Sequence, residues 1–309
     1  MKNYLHLMEV KKDNMDKELQ KFERYLKTER NYSEYTIKNY RIDILEFINY
    51  YKNYTSITYK DIKGYLSYLY NNKYKNSTIS RKISALRTFY SYLYEQKLVD
   101  KNIFKSISLP KKEKKLPKYL NICDLECIFN APDINTPIGI RNRLILELLY
   151  ATGMRVSELS SIKIKDIDLS NKTIRIIGKG SKERIVCYGS ECEKILNLYL
   201  KDSRKILLNN KNNDYLIIGK GKSKKVLSVR SIEKIIDEVI TTSAINKKIS
   251  PHVLRHTFAT HLLNEGCDIL IVKELLGHSS LDTTGIYTHI SNEKLRKVYL
   301  ESHPRAKNH

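Results

Sequence analysis

The sequence contains no run of 18 consecutive apolar residues, roughly the length that a membrane-spanning helix needs. Its N-terminus, MKNYLHLMEVKKDN, also lacks the apolar core and the small-residue cleavage site of a secretory signal peptide. These absences argue against an integral membrane protein and against a secreted one. The sequence therefore predicts a cytoplasmic protein without membrane insertion.

Cysteine is scarce, and its count of five in 309 residues is odd. An odd number in a long chain argues against a disulfide framework. Cys123 and Cys127 are four residues apart, as buried helix neighbours often are, and the spacing of Cys187 and Cys192 matches no common zinc motif. We therefore expect neither disulfides nor a metal site.

Acidic residues are too few to balance the basic ones, with 34 Asp and Glu against 56 Lys and Arg and a formal net charge of +22. Residues 1–110 hold 21 basic and 12 acidic residues, a net of +9, which leaves +13 for the remainder. Such an excess indicates a polyanionic partner, and nucleic acid is the first candidate. A codon bias towards Lys, Asn, Ile and Tyr would explain part of it without a partner.

The pattern of apolar residues divides the chain into two parts. Between Met15 and about Ser108 the apolar spacing is helical throughout, with Ser33 as a helix cap and TYKD at 58–61 as a capping box. A basic run bracketed by prolines follows, and then a mostly helical region interrupted by a β-hairpin within 172–189. The predicted divisions are an N-terminal extension (1–14), a helical DNA-binding domain (15–108), a basic linker (109–118) and a catalytic domain (119–309) that ends in a tail (about 291–309).

Polar residues collect at the boundaries of predicted elements in the second part. In SPHVLRH, Ser250 caps a helix on which His252 and Arg255 share one face, near the positive end of the helix dipole. The segment ATGMRVSEL places Arg155 and Glu158 three residues apart. The other polar residues at such boundaries are Lys179 in the hairpin turn, His278 directly after Gly277, and Tyr287 in TTGIYTH.

These motifs resemble the active-site set of the tyrosine recombinases (phage integrase family), closest to the bacterial XerC/XerD branch. ATGMRVSELSSIKIKDID, RIIGKGSKERIV, SPHVLRHTFATHLLNEG and the terminal HPRA resemble that branch as well, so the resemblance covers nearly the whole chain. It implies a mainly α fold with a four-helix, SAM-like core-binding domain. It also implies an α+β catalytic domain with a small antiparallel β-hairpin or sheet, the two forming a C-shaped clamp on DNA.

The resemblance implies a site-specific recombinase that cleaves and rejoins DNA through a 3′-phosphotyrosine, with no metal, ATP or other cofactor. In that reading Tyr287 is the nucleophile, Arg155 and Arg255 stabilise the transition state, and Lys179 protonates the leaving oxygen. His252 accepts the phenolic proton, His278 binds a non-bridging oxygen, and Glu158 orients the arginines. We expect DNA contacts from Lys111, Lys112, Lys114, Lys115, Lys118, Lys182 and Arg184.

The expected partner is double-stranded DNA with inverted half-sites, bound by a homotetramer or by a heterotetramer with a paralogue, and an accessory activator is possible. The family links its subunits through C-terminal segments, which here predicts a role for the apolar side of the tail. The expected task is resolution of chromosome or plasmid dimers. The alternatives are a mobile-element integrase, a type IB topoisomerase and a non-catalytic DNA-binding regulator. Lys182, in the same turn, is the alternative to Lys179.

Overall fold

The computed structural model describes residues 2–51, 53–108, 119–178, 182–220, 226–243, 245, 247, 249–277 and 292–306, with side chains from residue 15 onward apart from residue 292. The chain divides into two compact units, Met1–Lys115 and Leu116–His309. Among the described residues, no helix is both long and apolar enough to cross a membrane.

Four helices make up the first unit, as the sequence predicts. Ser33 Oγ accepts a hydrogen bond from the Thr36 N–H, and Thr58 and Asp61 form the expected capping box. The first helix begins at Lys2, within the stretch 1–14 that the sequence analysis places before the bundle. The helices are α1 (Lys2–Thr28), α2 (Glu34–Tyr50), α3 (Tyr59–Asn71) and α4 (Asn76–Glu95), followed by a 3-10 turn (Ile103–Ser106).

Aromatic rings fill the core of the first unit. The Phe47 ring meets the rings of Tyr65 and Phe104 edge to face, with centroids 4.9 and 5.5 Å apart, and all three side chains are fully buried. Other tyrosines, such as Tyr35 and Tyr94, are exposed. The tyrosines of this unit are therefore core and rim residues, as the helical spacing predicts.

The second unit is mostly helical and contains one small sheet. Its elements are α5 (Ile122–Asn130), α6 (Pro137–Thr152), α7 (Val156–Ser161), a 3-10 turn (Ile164–Asp166), β1 (Ile167–Asp168), β2 (Thr173–Ile177), β3 (Glu183–Cys187), α8 (Ser190–Leu198), a π-helical turn (Tyr199–Ser203), α9 (Arg204–Leu208), α10 (Val229–Thr242), α11 (Pro251–Asn264), α12 (Ile269–Leu276) and α13 (Asn292–Ser302). Every residue of α6 from Gly139 to Thr152 except Asn142 is buried, so this helix forms the centre of the unit.

The three strands form an antiparallel sheet in the order β1-β2-β3. The pair β2–β3 runs in register from Thr173 opposite Cys187 to Ile177 opposite Glu183. The predicted hairpin is confirmed, and β1 adds an edge strand that the sequence analysis did not predict. The mainly helical fold class with a small antiparallel sheet is likewise confirmed.

The C-terminal tail packs on its own unit. Leu295 and Tyr299 of α13, and then His303 and Ala306, are buried in the core of the second unit. Arg305 donates from Nη2 to Oε1 of the buried Glu147 at 2.6 Å. The apolar side predicted for the tail is therefore covered by the same subunit in this structure.

Candidate active site

The candidate active site is built where α6 ends and α7 begins. α6 ends at Gly153, whose φ of +60° is a left-handed conformation that glycine adopts readily. Arg155 then caps α7. Its backbone N–H donates to Oε2 of Glu158 at 2.7 Å, and its Nη1 donates to Oε1 at 2.9 Å. The carboxylate that caps the first turn of α7 therefore also fixes the Arg155 side chain.

Glu158 is almost fully buried, with 4% of its surface exposed, and it binds a second arginine. On β3, Nη1 and Nη2 of Arg184 donate to Oε1 and Oε2 of Glu158 at 2.9 Å each. Burial alone would raise the pKa of Glu158, but the hydrogen bonds from Arg184 and Arg155 outweigh burial and lower that pKa below its usual value. The carboxylate is therefore ionised at neutral pH.

Arg255 ties α11 to the ends of α6 and α12. Its Nη1 donates to the carbonyl oxygen of Gly153 at 2.5 Å, and its Nη2 donates to the carbonyl oxygen of Leu276 at 2.7 Å. Burial, helped by the positive charges of Arg155 and Arg184, lowers the pKa of Arg255 to about 10. The guanidinium therefore stays protonated at neutral pH.

Arg155, Arg184, Arg255 and Glu158 form one electrostatic cluster. Three guanidinium charges against one carboxylate leave these four side chains with a net charge of +2. Fixed guanidinium donors with an excess of positive charge are suited to bind an oxyanion such as a phosphodiester. Within the described parts of the chain, no group of three or more His, Cys, Asp and Glu side chains is placed to hold a metal ion.

The other predicted site residues are placed only in part. His252 is exposed on the first turn of α11, one turn before Arg255, and Lys182 is exposed beside the hairpin turn. His261 is buried, with its Nδ1 2.8 Å from the Tyr150 hydroxyl. Outside the described residues lie Lys179, His278, Tyr287, Lys111, Lys112, Lys114, Lys115 and Lys118.

The chain enters two of these undescribed segments beside the cluster. Gly178 directly precedes Lys179, and a Cβ at Gly178 would lie 3.5 Å from Nη1 of Arg184 and 3.6 Å from Oε1 of Glu158. Gly277 directly precedes His278, and a Cβ there would lie 2.9 Å from Nη1 of Arg184. Gly178 and Gly277, the last described residues before these segments, therefore both lie beside the Arg184–Glu158 pair.

Sequence reasoning missed the part that Arg184 plays in this cluster. It assigned Arg184 to DNA contact, whereas the structure buries most of its side chain and pairs both terminal nitrogens with Glu158. The two residues are 26 positions apart, so no helical or strand periodicity connects them. The only available signal was that Glu158 is the one charged residue in α7, VSELSS.

The fold and the site define a mainly helical protein with a small sheet and an arginine-rich anion site. Residues 118–294 match the phage integrase family, and residues 19–97 match the N-terminal SAM-like domain of phage integrases. The chain belongs to the phage integrase family of tyrosine recombinases.

Relatives and solved structures of similar length agree with this assignment. The chain is 45% identical to the tyrosine recombinase XerC of Staphylococcus epidermidis, over 95% of this chain and 99% of that protein. It is 43% identical to XerC of Anoxybacillus flavithermus, over 95% of this chain and all of that protein. The XerH recombinase bound to a palindromic difH substrate is 28% identical with a TM-score of 0.66, over 91% of this chain and 84% of that one.

Proposed function

We propose that the chain is a site-specific DNA recombinase of the Xer type, which cleaves and rejoins DNA through a 3′-phosphotyrosine intermediate and resolves chromosome or plasmid dimers. The observation that carries the proposal is the cluster of Arg155, Arg184 and Arg255 around the buried carboxylate of Glu158. Identity of 45% over almost the full length of a XerC supports it further.

The cluster suits the charge that develops during phosphoryl transfer. When an oxygen nucleophile attacks a phosphodiester, negative charge builds on the two non-bridging oxygens. Arg155 and Arg255 stabilise that charge with guanidinium groups that are already held in place, so little reorganisation is needed in the transition state. Glu158 keeps Arg155 oriented without neutralising the whole cluster.

The remaining catalytic roles follow the family pattern. Tyr287 Oη forms a bond to phosphorus while the bond from phosphorus to the 5′ oxygen breaks. His252 takes the phenolic proton, Lys179 gives a proton to the departing 5′ oxygen, and His278 donates a hydrogen bond to a non-bridging oxygen. Attack by a 5′ hydroxyl reverses these steps. The phosphotyrosine conserves the bond energy, so rejoining needs no ATP, metal or cofactor.

The proposed substrate is double-stranded DNA with inverted half-sites. The net charges of +9 on residues 1–110 and +13 on the remainder support binding to a polyanion. Exchange of four strands needs four active sites, so the proposal includes a tetramer of this chain, or of this chain with a paralogue. Lys182 and the linker lysines Lys111, Lys112, Lys114, Lys115 and Lys118 supply phosphate contacts. The reaction takes place in the cytoplasm.

The test separates binding from cleavage at Tyr287. The duplex is one that the purified protein selects from a random-sequence library, nicked near the cleavage point so that the covalent adduct is trapped. Tyr287→Phe keeps the ring but removes the nucleophile, so we expect a dissociation constant within about threefold of wild type and no adduct. An adduct of normal yield would show that another residue attacks. EDTA should leave the wild-type adduct unchanged.

A further inference from the structure

Arg184 and Arg175 lie on neighbouring strands of the same sheet but face opposite sides of it. Arg184 is opposite the buried Ile176 on the inner face, whereas Arg175 is opposite the exposed Ile185 on the outer face. The Arg184 side chain is 15% exposed and that of Arg175 is 44% exposed. Arg184 therefore points into the unit. Arg175, on the neighbouring strand, points away from it and is a matched control.

Both terminal nitrogens of Arg184 are committed to one carboxylate. Nη1 and Nη2 bind the two oxygens of Glu158 in the forked geometry that fixes both planes, and Nε is buried with no hydrogen-bond partner among the described residues. Glu158 in turn binds the backbone and the side chain of Arg155. Arg184 and Arg155 are therefore coupled through a single buried group.

Arg184 also packs against the end of α12. A Cβ at Gly277 would lie 2.9 to 3.0 Å from the Arg184 guanidinium and Cδ, so Arg184 would have to shift to admit a side chain at this position. Arg255 binds the preceding carbonyl, that of Leu276. Arg184 thus contacts the first turn of α7, through Glu158, and the end of α12. Arg155 caps the first of these helix ends, and Arg255 binds the second.

We propose that Arg184 is a positioning residue for DNA strand cleavage: it fixes Glu158, and through Glu158 the guanidinium of Arg155, and it does not bind DNA. The inference rests on the proposed recombinase function. It replaces the DNA contact that the sequence predicts for Arg184. It also gives the buried ion pair a role in catalysis, because a misplaced Arg155 would lose contact with the transition state.

The first test compares Arg184→Met with Arg175→Met. Cleavage is measured as adduct formation on the selected nicked duplex, and affinity is measured by fluorescence anisotropy at several salt concentrations. We expect Arg184→Met to cleave roughly 10- to 100-fold more slowly, the range that follows from a small misplacement of a catalytic group. Its dissociation constant and salt dependence should match wild type within about threefold. Arg175→Met should match wild type in both measurements.

The second test is a double-mutant cycle with Glu158→Gln, since the proposed action of Arg184 passes through that carboxylate. In the Glu158→Gln background, Arg184→Met should slow cleavage by less than about threefold, because the linked path is already broken. An equal slowing in both backgrounds would overturn the inference. So would a tenfold weaker affinity with a shallower salt dependence, the signature of a lost phosphate contact.

Arg184→Lys covers the case in which the methionine variant fails to fold. Lysine keeps the charge beside Glu158 but cannot bind both oxygens at once, so intermediate cleavage at normal affinity is expected, and cleavage at the wild-type rate would contradict the proposal. Thermal unfolding checks that each variant is folded. If wild type itself forms no adduct, the proposed function fails. If wild type and Arg184→Met cleave equally, only the inference about Arg184 fails.

Discussion

Glu158 shows how one buried side chain can prepare an anion site before any substrate binds. Its two oxygens accept hydrogen bonds from Arg155 and Arg184, and burial keeps water from competing for them. Removing Glu158 would leave two guanidinium groups close together without a counter-charge. In the proposed reaction the carboxylate would therefore act by holding cations in position, without touching the substrate itself.

The role of Lys179 can be tested by changing the leaving group. An alkoxide leaves phosphorus poorly unless it is protonated, whereas a thiolate leaves without the help of an acid. We predict that the cleavage rate of Lys179→Ala on an ordinary duplex is lower than that of wild type by a factor of roughly 10² to 10⁴. A duplex with sulfur at the 5′ bridging position should restore cleavage close to the wild-type rate, as measured by adduct formation.

Two controls show whether this rescue is specific. Lys182 lies in the same turn and is exposed, so Lys182→Ala should need no rescue. Arg255→Ala should not be rescued. Its loss removes the positive charge that stabilises the non-bridging oxygens, and sulfur at the bridging position does not replace that charge. Sulfur rescue of Lys182→Ala in place of Lys179→Ala would assign the acid to the second lysine.

The buried histidine of the tail should make stability depend on pH. Burial lowers the pKa of His303 to about 3, whereas an unfolded histidine has a pKa of about 6.5. Between these values the unfolded chain binds a proton that the folded chain does not, so stability falls as pH falls below about 6.5. We predict a loss on the order of 1 to 2 kcal/mol between pH 7.5 and 5.0, seen as a lower melting temperature.

His303→Asn isolates this contribution. The backbone N–H of Arg305 donates to His303 Nδ1 at 3.2 Å. Asparagine keeps an acceptor for this N–H but cannot be protonated between pH 7.5 and 5.0. The variant should lose less stability on acidification than wild type. Some dependence will remain, because burial also lowers the pKa of His261. An unchanged dependence in His303→Asn would refute the assignment.

At the scale of helices and strands, the features that could be predicted are those that depend on residues close together in the sequence. The Ser33 cap, the Thr58–Asp61 capping box and the β2–β3 hairpin each depend on residues only a few positions apart, and each is present. Helix α11 also begins as expected, with Ser250 at its N-cap and Pro251 in its first turn. Local rules sufficed because local contacts decide these elements.

The elements that escaped prediction depend on distant partners. Helix α6 carries Arg143 and Glu147 on a nearly all-buried surface, and Glu147 is satisfied by Arg143 together with Arg305, 158 residues away. Of the candidate site, the sequence predicted the proximity of Arg155 and Glu158, which are three residues apart. It could not place Arg184 beside them, since the folding of β3 against α7 creates that contact.

The end of α6 offers a test of how a helix terminus holds the site. Gly153 has φ +60°, and a Cβ there would lie 2.5 Å from Cδ1 of the buried Phe258 and 2.9 Å from Cδ2 of Leu276. We predict that Gly153→Ala lowers the free energy of unfolding by roughly 2 to 4 kcal/mol, because backbone strain and overpacking add. Urea unfolding measures this loss. Cleavage should slow as well, since the Gly153 carbonyl binds Arg255.

Gly266 is the matched control for this substitution. It also has a positive φ, +83°, but a Cβ there would have no described atom within 4 Å. Gly266→Ala should therefore show the backbone strain alone, about 1 kcal/mol, and leave cleavage unchanged. Equal losses at the two glycines would mean that the contacts with Phe258 and Leu276 do not matter.

At the scale of the whole chain, the tail that the sequence analysis assigns to links between subunits is part of the core of its own unit. Tyr299 and His303 are 1% and 0% exposed, and the Arg305 guanidinium lies 4.6 Å from the centroid of the Phe129 ring. If subunits exchange this segment in a tetramer, these side chains must leave one core and enter another. Such an exchange would have to replace every contact that it breaks, because a half-filled core costs several kcal/mol.

This packing changes what truncation of the tail should do. A chain cut after Asn292 loses Leu295, Tyr299 and His303 from the core, and large-to-small changes at single buried sites already cost about 2 to 5 kcal/mol. Since domains are stable by only about 5 to 15 kcal/mol, we predict that this cut unfolds the catalytic unit and abolishes single-site DNA binding along with recombination. A chain cut after Ala306 keeps every residue that the structure describes as buried in the tail, and it should melt within a few degrees of wild type. Thermal unfolding and single-site binding of the two truncated chains measure the difference. If the chain cut after Asn292 melts like wild type, still binds a single site and loses only the joining of two sites, then the tail acts between subunits and its packing here is dispensable.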